Sequence, residues 1–219
     1  MARTRGKDAL GPAKRGQRRY KIVHVFTEGR VPEPQYIEIV RGKPAETGVE
    51  VRIANPSAPG SQRKPITLVE AAARLLREET RAAKKAKLDE KLWPEVWCLF
   101  DRDEHQQIPA ALRLADEAGV EVAFSHPCFE LWRLLHHKPV HGTFGGVCGE
   151  AVRQLPFDGS PEKLKHMRSD ELPEGSFAQA KKWAQKINAQ HPEHRPKDQR
   201  DPYTDVYVFV EKGLRITAY

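Results

Sequence analysis

Short apolar runs alternate with amphipathic stretches from residue 21 to residue 137, and this alternation restricts the chain to few folds. Lys21–Thr27 (KIVHVFT) has the β-branched density of a buried strand. Pro34 predicts a helix to about Arg41, with Tyr36, Ile37 and Val40 on its inner side and Gly42 as its stop. Residues 49–54 alternate as a second strand, 55–65 form a Pro/Gly/Ser-rich loop, and Thr67 caps a long helix to about Lys87. Residues 95–100 (EVWCLF) read as a third strand, 107–118 as a helix stopped by Gly119, and 120–124 as a fourth strand. Pro127 opens a further helix, CFELWRLLHH. Strand and helix alternating in this way imply a mainly parallel sheet covered on both faces. The fold class expected is therefore α/β.

The pattern changes after residue 138. Residues 138–175 are polar and rich in Gly and Pro, with one short helix at 161–169. Residues 177–190 read as an amphipathic helix, and 191–202 as a polar break. Residues 204–214 fit a helix or, from Tyr207, Val208, Phe209 and Val210, a strand, and periodicity leaves the two open. The expected organisation is an arm at 1–20, an α/β domain at 21–140, and a mostly helical C-terminal extension at 141–219 packed on that domain.

Charge is distributed unevenly. The chain holds 37 Lys and Arg against 30 Asp and Glu, a net charge of +7. Residues 1–21 contain eight bases and one acid, so the whole excess lies in the arm and the body is neutral. Such a segment is expected to be disordered and to contact phosphates through Arg15, Arg18 and Arg19, or else to serve as a solubilising tail. No run approaches the ~20 apolar residues of a membrane span. Cys98, Cys128 and Cys148 are isolated and odd in number, which argues against a disulfide framework or a zinc site and for a reducing cytoplasm.

Parallel sheets gather functional groups where strands end, and three predicted strand ends carry acids. The first runs into Thr27-Glu28-Gly29, the third into Asp101-Arg102-Asp103-Glu104-His105, and the fourth into Ser125-His126-Pro127-Cys128-Phe129-Glu130. Asp101 and Asp103, two apart, can direct both carboxylates toward one side. With Glu28 they would make a hard oxygen site for Mg²⁺ or Mn²⁺, able to activate water and stabilise a phosphodiester in transit. Each acid has a plain alternative. Asp-x-Asp occurs in solvated turns and caps, Glu28-Gly29 can be a simple turn, and Glu130 suits the first turn of its helix. Arg102 and His105 are candidates for phosphate contact, with His105 also placed to assist proton transfer. Trp97, Trp132, Trp183 and Cys98 read as packing groups. Residues 142–146 (GTFGG) lack the Lys-Ser/Thr of a phosphate loop.

The Glu after one strand and the Asp-x-Asp after a later one resemble the Toprim arrangement of topoisomerases, primases and old-type nucleases. More closely, FTEGRVPEPQYIE (26–38), VWCLFDRDEH (96–105), SHPCFELWRLLHH (125–137) and DPYTDVYVFVEKGL (201–214) resemble the RloB family, also seen as the AbiLii component of abortive-infection loci. The resemblance implies a Toprim-like nuclease domain acting on nucleic acid, DNA or RNA including tRNA, in bacterial antiphage defence and beside an ATPase partner. By position, Glu28, Asp101 and Asp103 match the family's metal-binding acids, and Glu130 matches a further Glu. The fourth motif departs from the family, with Ser-His-Pro where relatives tend to have Ser-Asn-Pro, so His126 would replace an amide or join the site. Two other functions remain open on the sequence. One is a non-catalytic nucleic-acid-binding or effector module controlled by the ATPase, and the other is phosphoryl chemistry on a small nucleotide. The sequence leaves a homo-oligomer open as well.

Overall fold

The chain builds a five-stranded, mostly parallel sheet flanked by helices. The computed structural model describes residues 20–43, 48–102 and 105–219. The strands are β1 (Lys21–Thr27), β2 (Val49–Ile53), β3 (Glu95–Asp101), β4 (Glu121–His126) and β5 (Tyr203–Thr204), in the order β2-β1-β3-β4-β5. The first four are parallel, with Val25 beside Ile53 and Trp97, and Asp101 beside Ser125. β5 runs antiparallel to β4 at one edge.

The period of two along the strands divides the core. Val23, Val25, Trp97 and Leu99 enter one apolar cluster, while Phe26, Val96, Cys98 and Phe100 enter the other. This two-sided burial explains why the strands read as continuous apolar runs. Helix α1 (Pro32–Arg41) covers the first face through Tyr36, Ile37 and Val40. Helices α2 (Pro65–Lys85) and α3 (Ile108–Ala118) cover the second through Leu68, Val69, Ala72, Ile108 and Ala111. Opposite faces are what right-handed crossovers require when the chain moves from β1 outward to β2 and then back past β1 to β3. Gly119 ends α3 at φ 70°, a left-handed conformation suited to glycine.

Two helix starts differ from expectation. Helix α1 begins at Pro32 rather than Pro34: Pro at the first helical position lacks only an amide that would be unpaired anyway, and the same holds two residues on. Helix α2 begins at Pro65, so Thr67 lies inside it and is not its cap.

Residues 127–219 complete the first face. Helix α4 (Glu130–Leu134) buries Leu131, Trp132 and Leu134. Its Arg133, 1% exposed, pairs with Glu171 at 2.7 Å and donates to the Leu164 carbonyl at 2.6 Å. The stretch expected to hold one short helix contains two, α5 (Cys148–Arg153) and α6 (Pro161–Leu164). Helix α7 (Ser176–Asn188) inserts Phe177, Ala180, Ala184 and Ile187. The open choice at 204–214 resolves as a helix, α8 (Val206–Val208), continued by a π-turn at Phe209–Gly213. His136 is buried, bonding the Trp132 carbonyl and the Tyr219 hydroxyl.

The structure corrects the reading of isolated cysteines. Cys128 and Cys148 are joined as a disulfide with Cα atoms 5.5 Å apart, and Cys98 alone is free and buried.

Candidate active site

The chain leaves β1 toward β2 at one edge of the sheet and leaves β3 toward β4 on the other side, so the connections after these two neighbouring strands diverge and open a crevice. Glu28 follows β1, and its amide continues the ladder by donating to the Leu99 carbonyl at 2.9 Å. Its carboxylate turns across to β3. Oε2 accepts the Asp101 amide at 2.9 Å and Oε1 meets His105 Nε2 at 2.6 Å. Asp101, the last residue of β3, accepts the Phe129 amide on Oδ2 at 2.9 Å, which ties it to the turn between β4 and α4.

A fourth acid completes the crevice. Glu33, in the first turn of α1, is 3% exposed and accepts the Gly29 amide on Oε1 at 3.0 Å. Its Oε2 is buried without a hydrogen-bond partner. Glu28, Glu33, Asp101 and Glu130 line one cleft of about 480 Å³, together with Cys128, Phe129 and Cys148. The exposed Arg30 and Lys165 line the same cleft. The loop carrying Glu28 is braced from behind by Arg63, 4% exposed. Arg63 donates to the carbonyls of Thr27 and Gly29, and to those of Asn55, Pro56 and Ala58.

Glycine at 29 leaves the space that the Glu33 carboxylate fills, a matter of contact rather than of dihedral angle. A Cβ there would lie 2.7 Å from the Glu33 carboxyl carbon and collide with its oxygens. Gly29→Ala is therefore expected to cost about 1–3 kcal/mol of stability, the usual penalty of overpacking. Thermal melting of Gly29→Ala, Glu33→Ala and the double variant checks this. If the double variant shows no recovery of the Gly29→Ala loss, the contact is not the cause.

Gathering acids in a half-buried site raises their proton affinity. Burial, then the charges of Glu33, Glu28 and Glu130, hold the Asp101 carboxyl well above the ordinary range. Burial pushes Glu33 up to about 7, against two lowering backbone hydrogen bonds, with Glu130 and Glu28 adding to the rise. A bound cation would relieve both. The donors are all carboxylate oxygens and one is an orphaned buried acceptor, so their chemistry suits a hard divalent ion such as Mg²⁺, although among the described residues the acids do not form a group of three ligand atoms within 4.8 Å of one another.

The predicted residues distribute as follows. Glu28, Asp101 and Glu130 come together in the cleft, with His105 bonded to its edge. Arg102 donates to the carbonyls of Asp198 and His105, fastening the loop after β3 to the C-terminal part. His126 is buried at the end of β4, away from the cleft lining, and burial holds its pKa below the ordinary histidine value. Asp103, Arg15, Arg18 and Arg19 lie outside the described residues. Glu33 was missed by sequence reasoning, because a helix started at Pro34 leaves it in the preceding loop. Pro32 was the available signal, since it places an acid in a helical first turn directly after Glu28-Gly29.

No helix among the described residues is long and apolar enough to cross a membrane. A family model described as RloB-like protein matches residues 23–212. No curated protein and no solved structure matches the chain.

Proposed function

The chain belongs to the RloB-like family, and from that premise and the geometry of the cleft we propose that it is a metal-dependent nuclease of the Toprim type, cleaving nucleic-acid phosphodiester bonds in antiphage defence. The observation that carries the reading is the convergence of Glu28, Glu33 and Asp101, with Glu130, at the crevice between β1 and β3. Carboxylates gathered in a partly buried cleft are costly to hold charged, and a divalent ion would offset that cost.

In this reading Glu28, Glu33 and Asp101 hold Mg²⁺ or Mn²⁺, joined by Asp103 from the sequence pattern. Bound there, the ion would activate water and stabilise charge on the phosphodiester. Glu28 is fixed for its task by the Asp101 amide on one oxygen and His105 on the other. His105, bonded through Nε2 to Glu28, is placed to hold a proton released from water. Arg30 and Lys165, exposed beside the acids, would attract the phosphate backbone and counter its repulsion by the cleft floor. The basic arm with Arg15, Arg18 and Arg19 would add salt-sensitive, sequence-independent affinity. An ATPase partner, suggested by the family resemblance, would control access.

Incubating the full chain with labelled tRNA, single-stranded DNA and duplex DNA, with Mg²⁺, Mn²⁺ or EDTA, tests the reading. Cleavage of at least one substrate that requires the divalent ion is expected. Cleavage undiminished in EDTA would overturn the metal-dependent mechanism.

A further inference from the structure

The wall of the cleft opposite α1 holds a group of a different chemical character. Cys128, Glu130 and Cys148 each offer one ligand atom, and these atoms all lie within 4.8 Å of one another. Cys128 and Glu130 are buried and Cys148 is partly exposed toward the cleft they all line. Glu130 Oε2 lies 3.7 Å from Cys148 Sγ. Zinc bonds of about 2.3 Å to sulfur and 2.0–2.2 Å to oxygen place tetrahedral neighbours roughly 3.5–3.8 Å apart, and the Glu130–Cys148 separation falls in that range. We propose that Cys128, Glu130 and Cys148 bind a zinc-class ion when the two cysteines are reduced, the disulfide being the metal-free oxidised form.

Ligand chemistry separates this site from the acid cluster. Two thiolates select a borderline-soft ion, whereas the carboxylates of Glu28, Glu33 and Asp101 select Mg²⁺. Two thiolates and a carboxylate carry three negative charges, of which Arg133, 3.8 Å from Glu130, offsets a part and a divalent cation would neutralise most of the rest. The cleft itself supplies the entry path and room for water in a fourth position, which three protein ligands leave open. Interconversion balances with a dithiol reductant. The dithiol's two sulfurs join as they give two electrons and two protons to Cys128 and Cys148, whose S–S bond breaks. Metal binding then releases those two protons to solvent. A disulfide oxidant of the same class reverses the first step and expels the ion.

The inference does not rest on nuclease activity, and its test is spectroscopic. The full chain is reduced with excess dithiol, desalted without oxygen, and its thiols titrated after denaturation to confirm all three cysteines. Co²⁺ and then Zn²⁺ are added. In excess Mg²⁺, which fills the carboxylate site, one thiolate-bound Co²⁺ per chain is expected, with the intense near-ultraviolet absorption of thiolate-bound cobalt, lost on adding Zn²⁺. Cys128→Ser and Cys148→Ser should each lose the absorption while keeping wild-type circular dichroism. Asp101→Asn should retain it, which separates a failure here from a failure of the nuclease reading. Reduced wild-type protein with three titrated thiols and no cobalt–thiolate absorption overturns the proposal, as does absorption that persists in Cys148→Ser.

Discussion

Asp101→Asn is expected to lower divalent-ion-dependent cleavage by about a thousandfold or more while leaving the metal-free protein as stable as the wild type, or more so. The substitution keeps an oxygen to accept the Phe129 amide, so the turn before α4 retains its anchor. What it removes is one negative charge among the acids of the cleft, and with it a metal ligand of the proposed site. Metal stabilisation of the transition state is worth several kcal/mol, and each ~1.4 kcal/mol is tenfold in rate. The neighbours Glu28, Glu33 and Glu130 meanwhile lose a charge that repels them. Cleavage rates in Mg²⁺ and melting temperatures in EDTA, measured side by side, check the two halves. Near-normal cleavage would remove Asp101 from the site. A large fall in melting temperature would reduce its role to holding the fold.

The second large effect concerns Glu33. Its folded-state pKa, about 7, stands above its ordinary value of 4.5, so the folded protein binds more protons than the unfolded chain between these values. The stability that the protonated carboxyl supports is present below pH 4.5 and is lost as pH rises through about 7. A shift of this size corresponds to roughly 3 kcal/mol. Metal-free wild type is thus expected to become less stable across that window, and Glu33→Gln to flatten the slope and to be the more stable protein at pH 8. Gln retains an acceptor for the Gly29 amide. Asp101, shifted in the same direction, keeps its own share of the slope. Mg²⁺ should stabilise wild type at pH 8 and stabilise Glu33→Gln much less. Denaturant titrations from pH 4.5 to 8, with and without Mg²⁺, supply the measurement, and equal slopes in the two proteins would refute the assignment.

The four parallel strands were legible because each is short, apolar and separated by helices with clear apolar stripes, whereas the two-residue edge strand β5 was not. Strand ends followed from the sheet, and with them Glu28 and Asp101. The C-terminal run at 204–214 was not legible, because consecutive apolar residues look alike in a buried strand and a buried helix. The helical spacing of Val206, Phe209, Val210, Gly213 and Leu214 emerges only from which of them are buried. Glu33 depended on which of two prolines opens α1, a choice that local propensity leaves nearly even. The pairing of Cys128 with Cys148 crosses a polar connection without periodicity, so nothing in the spacing announced it.

Arg63 gives the cleft an uneven mechanical character. By gripping the carbonyls of Thr27 and Gly29 together with those of Asn55, Pro56 and Ala58, it welds two loops into one body. The loop carrying Glu28 therefore cannot part from the 55–58 loop without breaking the bonds that one of the two makes to a buried guanidinium. The opposite wall is tied differently, by a pair of sulfurs that joins Cys128, just before α4, to Cys148 at the start of α5. One wall of the cleft is thus held by a fan of hydrogen bonds and the other by a single covalent link, so reduction would loosen only the second.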